Sequence, residues 1–219
     1  MICRTCAKEL RFIQGPVCMK CGRPLSSDAG EYCRSCQKTQ HSFTSGFSPF
    51  LYRDPVQNSL MRFKYGGRAE YARFYSAAIL SHGQERLRLW KPQLILPVPV
   101  HPLRYLERGY NQAEELANCL SKSLCIPAAS DLIRRQKNTR PQKGLDPQQR
   151  RKNLSGAFCT DPRALRKWEK RLYGFPERVL LCDDIYTTGT TMDLLAREAK
   201  KCGAAEVYFV SISVAPGDG

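Results

Sequence analysis

Apolar and polar positions alternate with two different periods along this chain, and their order sketches an architecture. Residues 42–52 alternate aromatic with small side chains, the two-residue period of a half-buried strand. Asp54-Pro55 offers an N-cap followed by proline at the first helical position, predicting a short helix to about Lys64 that Tyr65-Gly66-Gly67 stops. Residues 69–90 read as a longer helix, and 94–96 as a short buried strand closed by Pro97-Val98-Pro99. Apolar residues at helical spacing predict a helix over 111–124, and Leu132-Ile133 starts another strand. A strand over 178–182, a helix over 191–202 ended by Gly203 and a strand over 207–214 complete the series. Strands alternating with helices predict an α/β fold built on a parallel, doubly wound sheet.

Two stretches interrupt the pattern. Residues 134–152 hold eight basic residues against one acidic, with Pro141, Gly144 and Pro147 and no apolar period, which predicts a flexible basic loop. It reads either as a solvated charged loop or as an anion-binding lid. Residues 161–176 form a polar insert around a short helix, to which no chemistry attaches. The segment before the α/β pattern, residues 1–40, has almost no apolar core of its own.

Composition sharpens this picture at three points. A chain of 219 residues, 42% hydrophobic and 25% charged, is long enough for one medium domain with a small appendage and is not a disordered polymer. With 35 Lys and Arg against 20 Asp and Glu, its net charge of +15 suits a polyanionic partner. The longest apolar stretches, such as 94–100, are too short to span a bilayer. Met1-Ile2-Cys3-Arg4 lacks the design of a signal peptide, so a cytoplasmic location is expected. Disulfides are rare there, and the eleven cysteines need another explanation.

Six of them supply one, as three C-x-x-C pairs: Cys3/Cys6, Cys18/Cys21 and Cys33/Cys36. Each such turn aims two thiolates at one point, and two turns make tetrahedral zinc. Zn2+ would then fold a segment that lacks a core. Gly22 after Cys21 favours a tight turn there, so Cys18, Cys21, Cys33 and Cys36 are the preferred ligands and Cys3/Cys6 is half of a second site. His41 reads as a surface residue or an extra ligand. Cys119, Cys125, Cys159, Cys182 and Cys202 show no ligand spacing and read as small buried hydrophobes.

The most informative stretch is residues 179–191, where a buried strand leads to Asp183-Asp184 and then to Thr187-Thr188-Gly189-Thr190-Thr191. Such a turn can wrap a phosphate with backbone N–H groups at the positive end of a helix. The carboxylates suit ribose hydroxyls, and a sugar 5-phosphate satisfies both halves. Neither a Walker sequence nor a Rossmann glycine fingerprint occurs.

This stretch resembles the phosphoribosyl-pyrophosphate (PRPP) motif of type I phosphoribosyltransferases. Together with the cysteines, Phe63-Lys64-Tyr65-Gly66-Gly67, the segment from Pro97 to Arg104, and Arg108-Gly109-Tyr110-Asn111-Gln112-Ala113, it is similar to the ComF family. The resemblance implies a zinc ribbon over 1–40 and a phosphoribosyltransferase-like domain over 41–219. It implies that Asp183 and Asp184 meet ribose hydroxyls and Mg2+-pyrophosphate, and that Thr187, Thr188, Gly189, Thr190 and Thr191 cradle the 5-phosphate. Val98, Pro99, Val100 and His101 take the place of the pyrophosphate loop, with Arg104 and Arg108 as anion clamps. Arg135, Arg140, Gln142, Lys143 and Arg150 fall where relatives carry a flexible lid.

The family is linked to handling single-stranded DNA in natural transformation. The resemblance therefore implies PRPP or another sugar phosphate as ligand, single-stranded DNA as partner and a helicase-type competence protein as a further one. A phosphoribosyltransferase in nucleotide salvage is the alternative, and a PRPP sensor a third.

Overall fold

Five parallel strands form the central sheet of the computed structural model, which describes residues 9–26, 30–136 and 156–216. Strands β1 (Ser45–Phe47) and β2 (Phe50–Leu51) both pair with β7 (Glu206–Val214). β7 pairs with β6 (Arg178–Tyr186), and β6 with β3 (Leu94–Pro97). A two-stranded antiparallel hairpin, β4 (Ile133–Arg135) and β5 (Phe158–Thr160), stands apart from this sheet. Among the described residues the helices are α1 (Arg34–Lys38), α2 (Val56–Tyr65), α3 (Tyr71–Trp90), α4 (Pro102–Arg108), α5 (Gln112–Leu124), α6 (Pro162–Leu172) and α7 (Thr190–Lys201).

Side chains alternate across the sheet as a two-residue period requires. Leu94, Leu96, Val179, Leu181, Val207 and Phe209 face a core shared with α7, the hairpin, α6 and the Cys18/Cys21/Cys33 cluster. Ile95, Leu180, Cys182, Tyr208, Val210 and Ile212 face the opposite core, with α2, α3 and α5. Helices on both faces of a parallel sheet match the expected α/β class.

Several boundaries differ from the sequence reading. The strand expected over 42–52 breaks at Ser48-Pro49, where proline has no N–H for the ladder. α2 starts at Val56 with Pro55 in the capping position and no side-chain cap, so Asp54 is not its N-cap. β6 does not stop at Cys182. It continues through both carboxylates to Tyr186 because β7 supplies partners as far as Val214. Arg134 and Arg135, expected to open the basic loop, lie in β4 opposite Cys159 and Phe158. Arg140, Gln142, Lys143 and Arg150 lie outside the described residues, as do Cys3 and Cys6.

The N-terminal segment is fastened to the sheet. Gly46 donates its N–H to the Lys20 carbonyl at 2.9 Å, and Ser45 Oγ donates to the Met19 carbonyl at 2.7 Å. A Cβ at Gly22 would lie 2.7 Å from the Gly46 carbonyl, so only glycine lets the turn come this close. Phe12 stacks on Phe50 and His82 with ring centroids at 5.0 and 5.6 Å. Among the described residues no helix is long and apolar enough to cross a membrane.

Candidate functional site

The carboxylates and the loop before α7 meet at the carboxyl end of the sheet, where open parallel sheets hold ligands. Asp183 and Asp184 project from β6, and Tyr186 ends that strand. Gly189 takes φ 82° at the N-cap of α7, a left-handed conformation that glycine adopts freely. A Cβ there would sit 2.7 Å from the Tyr186 hydroxyl and 2.9 Å from His41 Cε1. The hydroxyls of Thr188 and Thr190 lie 3.0 Å apart. The loop thus presents hydroxyls and the open N-terminus of a twelve-residue helix, which together suit a phosphate.

Charge around the carboxylates is uneven. Lys64 Nζ lies 2.9 Å from Asp184 Oδ2, both side chains being largely buried. Burial works against the Lys64 ammonium, but the Asp184 carboxylate outweighs it and the lysine value rises. Asp183 accepts from the Asp184 N–H at 2.8 Å. Burial, then repulsion from Asp184, pushes the Asp183 carboxyl up to about 8, against the pull of Lys64 and Arg135. Asp184 therefore has its own cation, and Asp183, which keeps its proton until about pH 8, is the neutral acceptor beside it.

Three arginines border this pair. Burial and then the positive charge of Arg104 lower the Arg135 guanidinium, Arg108 adding to this and Asp183 opposing it. Arg108 donates to Gln112 Oε1 at 3.0 Å and to the Tyr65 hydroxyl at 3.1 Å, with its guanidinium 4.9 Å from the Tyr65 ring centroid. It makes no direct contact with the carboxylates. Val98 bonds β6 through its N–H to the Cys182 carbonyl at 2.9 Å, while Pro99 is buried and Val100 half-buried. His101 caps α4 by accepting the Leu103 N–H at 3.3 Å, so its ring serves the helix start. Lys64, Arg104, Arg108 and Arg135 outnumber two carboxylates, and the site favours an anion.

Behind the loop sits the cysteine cluster. The Sγ atoms of Cys18, Cys21, Cys33 and Cys36 all lie within 4.8 Å of one another, with Cys21 and Cys33 at 3.7 Å. Four thiolates on zinc at about 2.3 Å form a tetrahedron with edges near 3.8 Å, so the donor set fits the ion. Thiol–thiol hydrogen bonding pulls Cys18 below the ordinary value and pushes Cys21 up to about 12 and Cys36 further up. Such crowding is what a divalent cation relieves. Gly22 N–H bonds the Cys18 carbonyl at 2.8 Å, closing the turn, and the next residue reaches the site: Arg23 Nη2 donates to the Thr187 carbonyl at 2.6 Å.

Sequence reasoning missed Lys64 as a partner of Asp184 and Arg23 as a support of the loop; each contact joins distant parts of the chain. Lys64 stands just before Tyr65-Gly66-Gly67, which was a signal. His41 is neither ligand nor surface residue. It is buried, 2.8 Å from Asp193 Oδ2, and stacked on Phe43. Of the five other cysteines Cys182 alone is fully buried, and Cys125 is exposed at the end of α5.

The double zinc ribbon domain family matches residues 1–37. The chain is 33% identical to competence protein F of Haemophilus influenzae, an alignment covering 94% of this chain and 87% of that protein. It is 29% identical to competence protein ComFC of Bacillus subtilis, covering 90% and 76%. It is 28% identical to DNA utilization protein YhgH of Escherichia coli O157:H7, covering 94% and 87%. Among solved structures, a purine phosphoribosyltransferase from Pyrococcus horikoshii aligns at 17% identity with a TM-score of 0.35, over 66% of this chain and 84% of that one.

Proposed function

Because this chain belongs to the competence protein F/ComFC family, we propose that it handles single-stranded DNA in natural transformation and binds PRPP with Mg2+ at the end of β6. The observation that carries the ligand is the Thr187–Thr191 turn at the N-terminus of α7, beside Asp183 and Asp184 and bordered by Arg104, Arg108 and Arg135. In this reading the loop N–H groups and threonine hydroxyls hold the 5-phosphate. Asp183 accepts from a ribose hydroxyl, Lys64 keeps Asp184 in place, and the arginines face the pyrophosphate. The two carboxylates are hard oxygen donors of the kind Mg2+ takes, and the ion would offset pyrophosphate charge. The protein acts in the cytoplasm, and a helicase-type competence protein is its natural partner.

Thermal unfolding with PRPP and Mg2+, beside single-strand binding across a salt series, tests both halves. The expected results are a ligand-dependent rise in the midpoint and an affinity that falls steeply with salt. No single-strand affinity at low salt would end the DNA half, and no midpoint shift would end the ligand half.

A second reading, a phosphoribosyltransferase in nucleotide salvage, draws on the same carboxylates and arginines. As pyrophosphate leaves C1 of the ribose, the arginines would stabilise the departing charge. Pyrophosphate release from PRPP with one of a panel of bases would establish this activity. Release that persists unchanged in Asp184→Asn would sink the mechanism.

A further inference from the structure

Helix α6 (Pro162–Leu172) has one face in the core and one that is uniformly basic. Ala164 and Trp168 are buried, and Leu165 and Leu172 pack beside them. After Pro162, every exposed residue of this helix is basic: Arg163, Arg166, Lys167, Lys170 and Arg171. Their spacing at i, i+3, i+4, i+7 and i+8 stacks them into one stripe about 12 Å long. Like charges at these spacings oppose the helix, and an exposed face kept only for solubility mixes both signs. Asp131 neutralises Lys167 at 2.6 Å, but among the described residues Arg166, Lys170 and Arg171 make no ion pair. The stripe ends at Tyr173, which is 99% exposed, and the Arg171 guanidinium lies 5.0 Å from the Trp168 ring centroid.

We infer that this stripe is a second polyanion surface, separate from the loop before α7, and that it holds the phosphates of a single strand while Tyr173 stacks on a base. Cationic tracks flanked by exposed aromatic rings are how proteins hold unpaired strands without reading sequence. An anionic membrane is a poorer fit. A helix that lies in a bilayer surface inserts its apolar face, and here that face is already in the core. The hairpin links the two surfaces: Arg134 of β4 pairs with Asp161, the N-cap of α6, at 2.6 Å, and the adjacent Arg135 senses Asp183. A strand on α6 therefore lies on the helix whose N-cap is ion-paired to β4, the strand that carries Arg135. The inference rests on the DNA half of the proposed function and adds the place of contact.

The test uses the full chain and a labelled oligothymidylate, with binding followed by anisotropy across a salt series. Arg166→Glu/Lys170→Glu should bind about tenfold more weakly at low salt, and its salt slope should fall by about 1.4, the share of two phosphate contacts. Arg88→Glu/Lys122→Glu makes the same change in charge on α3 and α5, across the sheet, and should stay within about twofold of the parent. Arg166→Gln/Lys170→Gln should reproduce the lower slope without introducing acid. Tyr173→Ala should weaken binding severalfold with no change of slope. Equal losses in the two glutamate variants, or no loss in either, would overturn the stripe. A parent protein that binds phosphatidylglycerol vesicles and no oligonucleotide would overturn the DNA half itself.

Discussion

Arg23 Nη2 lies 2.6 Å from the carbonyl of Thr187, across 164 residues of chain, and donates a hydrogen bond to it. The bond joins the turn that carries Cys18 and Cys21 to the first residue of the proposed phosphate loop. The N-terminal ribbon is in this way part of the site's support. Arg23→Ala should leave the four cysteines in place yet cost about 1.5–3 kcal/mol, the worth of a hydrogen bond from a charged donor. The midpoint rise produced by PRPP should shrink, and Arg23→Lys should restore part of it. Thermal unfolding with and without ligand reads both effects.

Metal loss should act through the same contact. Cys33→Ser removes one of four ligands and should release zinc, measured with a colorimetric chelator. The unfolding midpoint should fall by roughly 5 °C, about 2 kcal/mol for a chain of this size. PRPP protection should fall with it, because the turn that positions Arg23 is then unsupported. Full protection in the zinc-free variant would separate ribbon from site.

Gly189 tests the loop more locally. Alanine must adopt φ 82° and also push against the Tyr186 hydroxyl and the His41 ring. Gly189→Ala should destabilise the chain by about 2–3 kcal/mol and abolish the effect of PRPP. Limited proteolysis would show whether the remaining fold is intact.

Asp183 makes stability depend on pH in an unusual direction. Its folded value, pushed up to about 8, lies above that of an unfolded aspartate near 4. Between these limits the folded chain holds a proton that the unfolded chain has released. The associated stability is full below about pH 4 and is lost as pH rises through 8. Asp183→Asn should remove that slope and be the more stable protein at pH 8, by about 1 kcal/mol or roughly 2–4 °C. Parallel pH profiles of midpoint for the two proteins give the comparison.

How much of this was legible depends on sequence separation. The alternation in β3, β6 and β7 is local, and it shows in the sequence as buried apolar runs. The Asp183-Asp184 to Thr191 stretch is local too, so its place beside a helix N-terminus was readable. β6 runs past its carboxylates because distant β7 continues to pair with it, which no local pattern reports. α4 has no buried residue, and Leu103 and Leu106 face solvent, so it carries no core stripe to detect. His41 shows the same limit: its place on Asp193 and Phe43 is set by the α7 packing. The ion pair of Lys64 with Asp184 and the bond from Arg23 to Thr187 exist only once the chain is folded.

The proposed function places a PRPP site on β6 and the loop before α7. Isothermal titration of the protein with PRPP in the presence of Mg2+, repeated with Asp184→Asn, tests it most directly. Saturable one-to-one binding by the parent, weakened at least about tenfold (~1.4 kcal/mol) in the variant, is the predicted result. Absence of binding by the parent, or equal affinity in both proteins, would contradict it.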